Sequence, residues 1–254
     1  MTKLFYFSGT GNTLWSAKKI AEILDGQLFN IGVEMRKPAE TIEADRVILL
    51  FPAYAYQSPL LVRCFLDRSE FRSPYMAALT TFGSDPGGAL AEVYRIFKRK
   101  KTPASYFAAI PSVENYIPIF GPQPEKTKQR RLALQEKATE KIAQDILQRK
   151  TNSVWPLRPL SMGISSLFKL SKSFFVKGFK VSAVCNGCGV CARICPAANI
   201  VIEKGKPVFL RRCEQCQACL NWCPRRAIGY LRFEPDTCQY HHPQVSVSEM
   251  YCSL

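Results

Sequence analysis

At 254 residues, with 47% hydrophobic and 22% charged side chains, the chain has the composition of a globular protein with one large core or two smaller ones. No uncharged apolar run reaches the roughly 18 residues that a membrane-spanning helix requires, and Met1-Thr2-Lys3-Leu4 enters a strand pattern at once, without the layout of a signal peptide. The formal net charge of +15 asks for a counterpart, but no helix-turn-helix, zinc-finger or interleaved stacking pattern accompanies it, so nucleic acid is set aside and an acidic protein partner favoured.

Lys3 to Phe7 is a short apolar run without helical period, the signature of a buried parallel strand. Ser8-Gly9-Thr10-Gly11-Asn12-Thr13 follows, and then Leu14, Ala17, Ile20, Ala21 and Leu24 mark one face of a helix closed by Asp25-Gly26. A second strand is expected over Gln27–Ile31 and a stronger third over Arg46–Phe51. The loop Pro52-Ala53-Tyr54-Ala55-Tyr56-Gln57-Ser58-Pro59 comes next, with Ser58 as helix cap and Pro59 in the first turn of a helix over Leu60–Asp67. Cys64 on that helix reads as a small buried apolar residue. Met76–Thr81 is the fourth strand, Ala89–Lys98 a helix, Ser105–Ile110 the fifth strand, and Pro124–Arg149 a long charged helix. Strands alternating with helices predict an α/β doubly wound parallel sheet.

Ligands of such sheets lie outside the carboxyl ends of the strands. The first loop there offers four hydroxyl or amide side chains around two glycines and no cation, and it lacks both the Walker A lysine and the G-x-G-x-x-G spacing. It suits a phosphate monoester held by neutral donors at a helix N-terminus. The loops after the third and fourth strands supply Tyr54, Tyr56 and Phe82 as candidates for ring stacking, with Thr81, Gly83 and Gly87 beside them and Asn115-Tyr116 beyond the fifth strand.

Residues 126–180 carry thirteen Lys or Arg against three Asp or Glu. Trp155 to Pro159 reads as a linker, and Leu160, Ile164, Leu167, Phe168, Ser171, Phe174, Phe175 and Phe179 sketch an apolar helical face, read as packing on a neighbouring domain rather than on a membrane surface. Beyond it, Cys185-x2-Cys188-x2-Cys191-x3-Cys195-Pro196 is repeated as Cys213-x2-Cys216-x2-Cys219-x3-Cys223-Pro224. Three closely spaced thiolates wrap one cluster, and the fourth, before the proline, reaches the other. The reading is two iron–sulfur clusters, one held by Cys185, Cys188, Cys191 and Cys223, the other by Cys213, Cys216, Cys219 and Cys195. Zinc ribbons have no use for a third Cys-x2 step, and eight neighbouring thiols would have many competing disulfides. Eight cluster cysteines out of eleven argue for a reducing cytoplasm. In the tail, Cys238, His241, His242 and Cys252 match no metal motif.

The first loop resembles the phosphate loop of the flavodoxin family, [S/T]-x-T-G-N-T, at Ser8, Thr10, Gly11, Asn12 and Thr13. As a whole the chain resembles the flavodoxin–ferredoxin fusion proteins of anaerobes. That resemblance implies a flavodoxin-like FMN-binding domain over residues 1–150, a basic linker and helix over 151–180, a small α+β ferredoxin domain with two [4Fe-4S] clusters over 181–235, and a tail over 236–254. It also implies an FMN site formed by Ser8, Gly9, Thr10, Gly11, Asn12, Thr13, Pro52, Ala53, Tyr54, Ala55, Tyr56, Thr81, Phe82, Gly83, Gly87 and Asn115. The expected function is electron relay between FMN and the clusters, serving an acidic flavodoxin- or ferredoxin-type partner. A flavin-dependent reductase fed through the clusters is the alternative, and a non-redox sensor a third reading.

Overall fold

The structure is a computed structural model and describes residues 1–116, 121–153, 178–231 and 239–252. Five strands form a parallel sheet: β1 (Thr2–Tyr6), β2 (Gly26–Asn30), β4 (Arg46–Pro52), β6 (Met76–Phe82) and β7 (Tyr106–Pro111), in the order β2-β1-β4-β6-β7. This is the flavodoxin-like variant of the doubly wound α/β fold, with its switch in strand order between β1 and β4. Alternation along each strand separates two apolar faces. Leu4, Tyr6, Ile48, Leu50, Ala77 and Leu79 face α1 (Asn12–Leu24) and α5 (Glu125–Leu147). Phe5, Phe7, Val47, Leu49, Phe51 and Ala78 face α3 (Leu60–Arg68) and α4 (Ala89–Arg99). Among the described residues no helix is long and apolar enough to cross a membrane.

Three local expectations change. Cys64 is exposed, because α3 buries Val62, Phe65 and Leu66 and turns Cys64 to solvent. The left-handed residue that closes α1 is Asp25 (φ 47°), and Gly26 already opens β2. Ser58 does not cap α3. Its amide and hydroxyl bond Glu92 at 3.0 and 2.8 Å, and the helix begins after Pro59. The short helix α2 (Ile31–Glu34) and the parallel side pair β3 (Thr41–Glu43) with β5 (Glu70–Arg72) had no clear sequence signal.

The cysteine-rich part is built from small pieces. β8 (Phe179–Val181) pairs antiparallel with β11 (Ile228–Tyr230), and β9 (Ile200–Glu203) with β10 (Lys206–Phe209). Between them lie the single turns α6 (Val190–Arg193) and α7 (Ala218–Asn221). Phe179 is thus a strand residue, stacked on Phe209 at 4.6 Å, not the end of a helix. The linker and the rest of the expected apolar helix, together with Cys238, lie outside the described residues. The larger core does not stop at residue 150: Val190, Ile194, Ala218, Trp222, Val245 and Met250 join the α1/α5 side of the sheet. Residues 239–252 return to the first helix. Trp15 stacks on His242 at 5.0 Å and donates from Nε1 to Gln244 Oε1 at 2.6 Å.

Candidate functional site

A cavity of about 420 Å³ opens at the carboxyl ends of β1, β4, β6 and β7. It is lined by Ser8, Gly9, Thr10, Asn12 and Thr13, by Pro52 to Tyr56, by Thr81 to Asp85, by Ser112 to Tyr116, and by Gln215, Cys216 and Gln217. Sixteen residues were expected around a flavin, and Gly11 and Gly87 are the two outside this lining. Gly11 (φ 92°) starts α1 with its Cα turned to His242 and Val245, and Gly87 packs against Tyr56. Ser112, Val113 and Glu114, at a strand end, carried no motif, and nor did Gln215 and Gln217, whereas Cys216 was read only as a cluster ligand.

The loop side chains do more than face a ligand. Asn12 Nδ2 donates to the Val113 carbonyl at 3.2 Å, and Asn12 Oδ1 accepts from Tyr240 Oη at 2.7 Å. Thr13 Oγ1 and Thr81 Oγ1 share a hydrogen bond of 2.8 Å, and Asn115 Nδ2 donates to Thr10 Oγ1. These contacts tie the strand-end loops to one another, a structural duty that the motif does not announce. Helix α1 begins without an acidic residue in its first turn. Ser8 Oγ accepts from the Gly11 and Leu14 amides at 3.2 and 3.4 Å, which leaves the Asn12 and Thr13 amides and the helix dipole for an anion.

The next loop is held in an uncommon shape. Tyr54 and Gln57 exchange backbone bonds of 2.9 and 3.0 Å across Ala55 (φ 47°) and Tyr56 (φ 67°). Two successive non-glycine residues with positive φ are costly, and such strain gathers at binding sites. Tyr54 meets Phe7 edge-on at 6.1 Å. Burial, reinforced by the neighbouring Cys216, pushes its phenol well above the ordinary range, so it stays protonated. Glu114 brings a carboxylate to the wall, where Oε1 accepts from the amides of Asn115 and Tyr116 at 3.0 and 3.1 Å.

The eight motif cysteines fall into two groups. Cys185, Cys188, Cys191 and Cys223 line one small space, and Cys195, Cys213, Cys216 and Cys219 line another. Backbone amides point at the sulfurs: Asn199 N to Cys195 Sγ and Ala227 N to Cys223 Sγ at 3.2 Å, and Gln215 N to Cys213 Sγ at 3.3 Å. Burial first, then neighbouring thiols, raises the Cys216 and Cys219 pKa well above ordinary, so as free thiols they hold their protons until a metal displaces them. Among the described residues no three His, Cys, Asp or Glu side chains converge on a point that would hold one metal ion. A single zinc needs that convergence. A four-iron cluster takes one thiolate at each of four separate corners, and an all-thiol set with N–H···S contacts suits it.

The two parts are bolted together beside the cavity. The Glu214 carboxylate accepts from the Leu60 and Leu61 amides at 3.0 and 3.1 Å, so α3 is capped by a residue more than 150 positions away. Trp222 Nε1 donates to the Gly9 carbonyl at 3.0 Å and its ring stacks on His241 at 4.3 Å. Arg36 donates to the carbonyls of Cys195 and Cys252. At Gly9 any Cβ would run into the Cys216 carbonyl oxygen, so the first loop meets the second cysteine motif backbone to backbone.

No protein-family model matches the sequence, and no curated protein matches it. Similar solved structures include the two-electron reduced flavodoxin of Megasphaera elsdenii, at 15% identity and TM-score 0.33, covering 55% of this chain and 99% of that one. A flavoprotein of Lactobacillus acidophilus in complex with FMN shows 15% identity and TM-score 0.33 over 42% of this chain and 91% of its own. Rubredoxin oxygen:oxidoreductase of Desulfovibrio gigas shows 12% identity and TM-score 0.34 over 57% of this chain and 36% of its own.

Proposed function

We propose that the chain is an electron relay, with FMN in the large cavity and a [4Fe-4S] cluster in each cysteine-lined space. The observation that carries this reading is that Cys216 and Gln217 line both the large cavity and the space of Cys195, Cys213 and Cys219. The two sites thus share lining residues, which offers a short path for an electron. FMN would exchange one or two electrons and each cluster one.

The residues fit these groups. Thr10, the open first turn of α1 and the neutral donors around it would hold the phosphate. Tyr54, Tyr56 and Phe82 would flank the ring. The cysteine group nearer the surface contains exposed Cys188 and half-buried Cys185. Exposed Lys204, Lys206 and Arg225 belong to the same unit, and Lys206 Nζ donates to the Cys185 carbonyl at 2.8 Å. This basic rim suits an acidic one-electron carrier of the cytoplasm, whose association should weaken as salt rises. A relay is favoured over a small-molecule reductase because both carboxylates of the lining are already engaged by backbone amides, Glu114 by those of Asn115 and Tyr116 and Asp85 by that of Gly87.

Anaerobic purification tests the reading. Roughly one flavin and eight irons per chain are expected, with flavin bleaching on the same time course as the clusters when an acidic donor delivers electrons. Two bound zincs and no iron, or a flavin that reduces independently of the clusters, would overturn it.

A further inference from the structure

The two cysteine motifs repeat one another, and the residue before the second cysteine is left-handed in both: Gly187 at φ 71° and Gln215 at φ 58°. Glycine takes that conformation freely, whereas a glutamine there is strained. The first motif has no room for a side chain, since a Cβ at Gly187 would lie 2.6 Å from the Gly205 carbonyl oxygen. The second motif carries one, and it is fully engaged. Gln215 is 2% exposed, and its Nε2 donates to Cys213 Sγ at 3.6 Å, beside its own backbone amide at 3.3 Å. Its Oε1 accepts at 2.9 Å from Oη of Tyr230, which is itself fully buried. A thiolate only accepts hydrogen bonds. With Cys213 as a ligand the amide therefore has one orientation, nitrogen to sulfur and oxygen to phenol.

Other amide–sulfur contacts are matched between the repeats: Asn199 N reaches Cys195 Sγ and Ala227 N reaches Cys223 Sγ, each at 3.2 Å and each four residues on. The surroundings are not matched. The outer group, Cys185, Cys188, Cys191 and Cys223, includes an exposed cysteine and lies in the unit that carries exposed Lys204, Lys206 and Arg225, conditions that favour an added electron. The inner group, Cys195, Cys213, Cys216 and Cys219, has no exposed member and contains the Glu214 carboxylate within its loop, conditions that oppose one. On those terms alone an electron would stay at the outer group. An N–H aimed at a ligand sulfur acts the other way, because it stabilises the more negative state.

Resting on the cluster reading above, we propose that Gln215, oriented by Tyr230, raises the reduction potential of the cluster beside the large cavity and brings it towards that of the outer cluster. Gln215 touches the ligand sulfur, and Tyr230 is a positioning residue. In each inward transfer the outer cluster gives up one electron and the inner cluster takes it, with no bond made or broken.

The test uses the full-length protein with its clusters in place and follows their stepwise reduction by electron paramagnetic resonance. Gln215→Gly installs the residue of the sister loop and relieves the backbone, so it removes the side-chain N–H while suiting the turn. The gap between the two cluster reduction steps should widen about tenfold in equilibrium constant, close to the worth of one hydrogen bond to a charged acceptor, or about 59 mV for one electron. Pulsed spectra should lose one exchangeable-proton coupling, a change that looser packing alone would not give. Tyr230→Phe keeps the ring and frees the amide, and should widen the gap in the same direction by less; it decides the matter if the glycine variant sheds iron. Wild type that holds zinc, or no metal, would bring down the cluster reading together with this one. Wild type with both clusters, and variants whose gap is unchanged or narrower, would overturn the role of Gln215 alone.

Discussion

The sheet and the cysteine-rich unit attach themselves to the native state by different means. In the sheet, burial is carried by large hydrocarbon side chains: Phe7, Phe51, Phe65, Phe97 and the leucines of β1 and β4 are fully enclosed. In the cysteine-rich unit the local cluster of buried residues consists of Cys191, Cys195, Cys219 and Cys223 with Ile200, Leu220, Ala227, Ile228 and Tyr230. Thiols fill almost half the positions where the sheet uses leucine or phenylalanine. A segment of about 50 residues with one hairpin, one further antiparallel strand pair and two single helical turns has too little apolar surface for independent stability. The sheet's fold is thus a property of its pattern of side chains, and the second unit's depends on what it leans against and, on the proposed cluster reading, on what its thiols bind.

Metal removal should break this comparison most sharply. After iron chelation, hydrogen exchange should show amides of 181–230 losing nearly all protection while β1, β4 and β6 stay protected. Equal loss in both parts would show one cooperative unit. Trp222→Ala comes next, since it deletes a buried ring and its bond to the Gly9 carbonyl. A destabilisation of about 3–5 kcal/mol in urea unfolding is expected, with weaker flavin retention because Gly9 belongs to the cavity wall.

The pH dependence is smaller. His242 is buried against Trp15, and burial, then the charges of His241 and Lys18, lowers its pKa from 6.5 to about 4. The unfolded chain therefore takes up a proton that the folded chain refuses. Stability is unaffected above about pH 6.5 and falls as the pH drops towards 4, by roughly 2 kcal/mol at the lower end. His242→Gln should flatten that slope in thermal melts across the window. The smallest effect is expected for Glu214→Ala, which uncaps α3 at a cost of about 1 kcal/mol. Exchange should quicken at Leu60 and Leu61 while the distant Val33 amide is unaffected.

What could be read in advance follows the same division. The strands of the sheet are visible in runs such as Val47 to Phe51, and the cavity in loops that follow those runs directly. The crossed grouping of Cys195 and Cys223 follows from local spacing. Contacts between distant parts left no local trace: the carboxylate that begins α3 lies at Glu214, and a serine in the usual capping place was claimed by Glu92. Cys64 was misplaced because composition says that cysteines are buried, whereas the turn of a nine-residue helix decides which way this one points. Gln215 and Gln217 at the cavity escaped notice because glutamine carries no motif.

Residues near the two ends of the numbering meet at one place: the His242 amide donates to the Thr10 carbonyl at 2.9 Å, and Tyr240 reaches Asn12 across a separation of 228 positions. During synthesis the first loop leaves the ribosome long before the segment that braces it. Thr10 and Asn12 must wait, with the sheet around them already formed, until translation has passed residue 242. Cofactor capture by the nascent chain would therefore meet an unbraced loop, and retention would tighten only after the last stretch has been made.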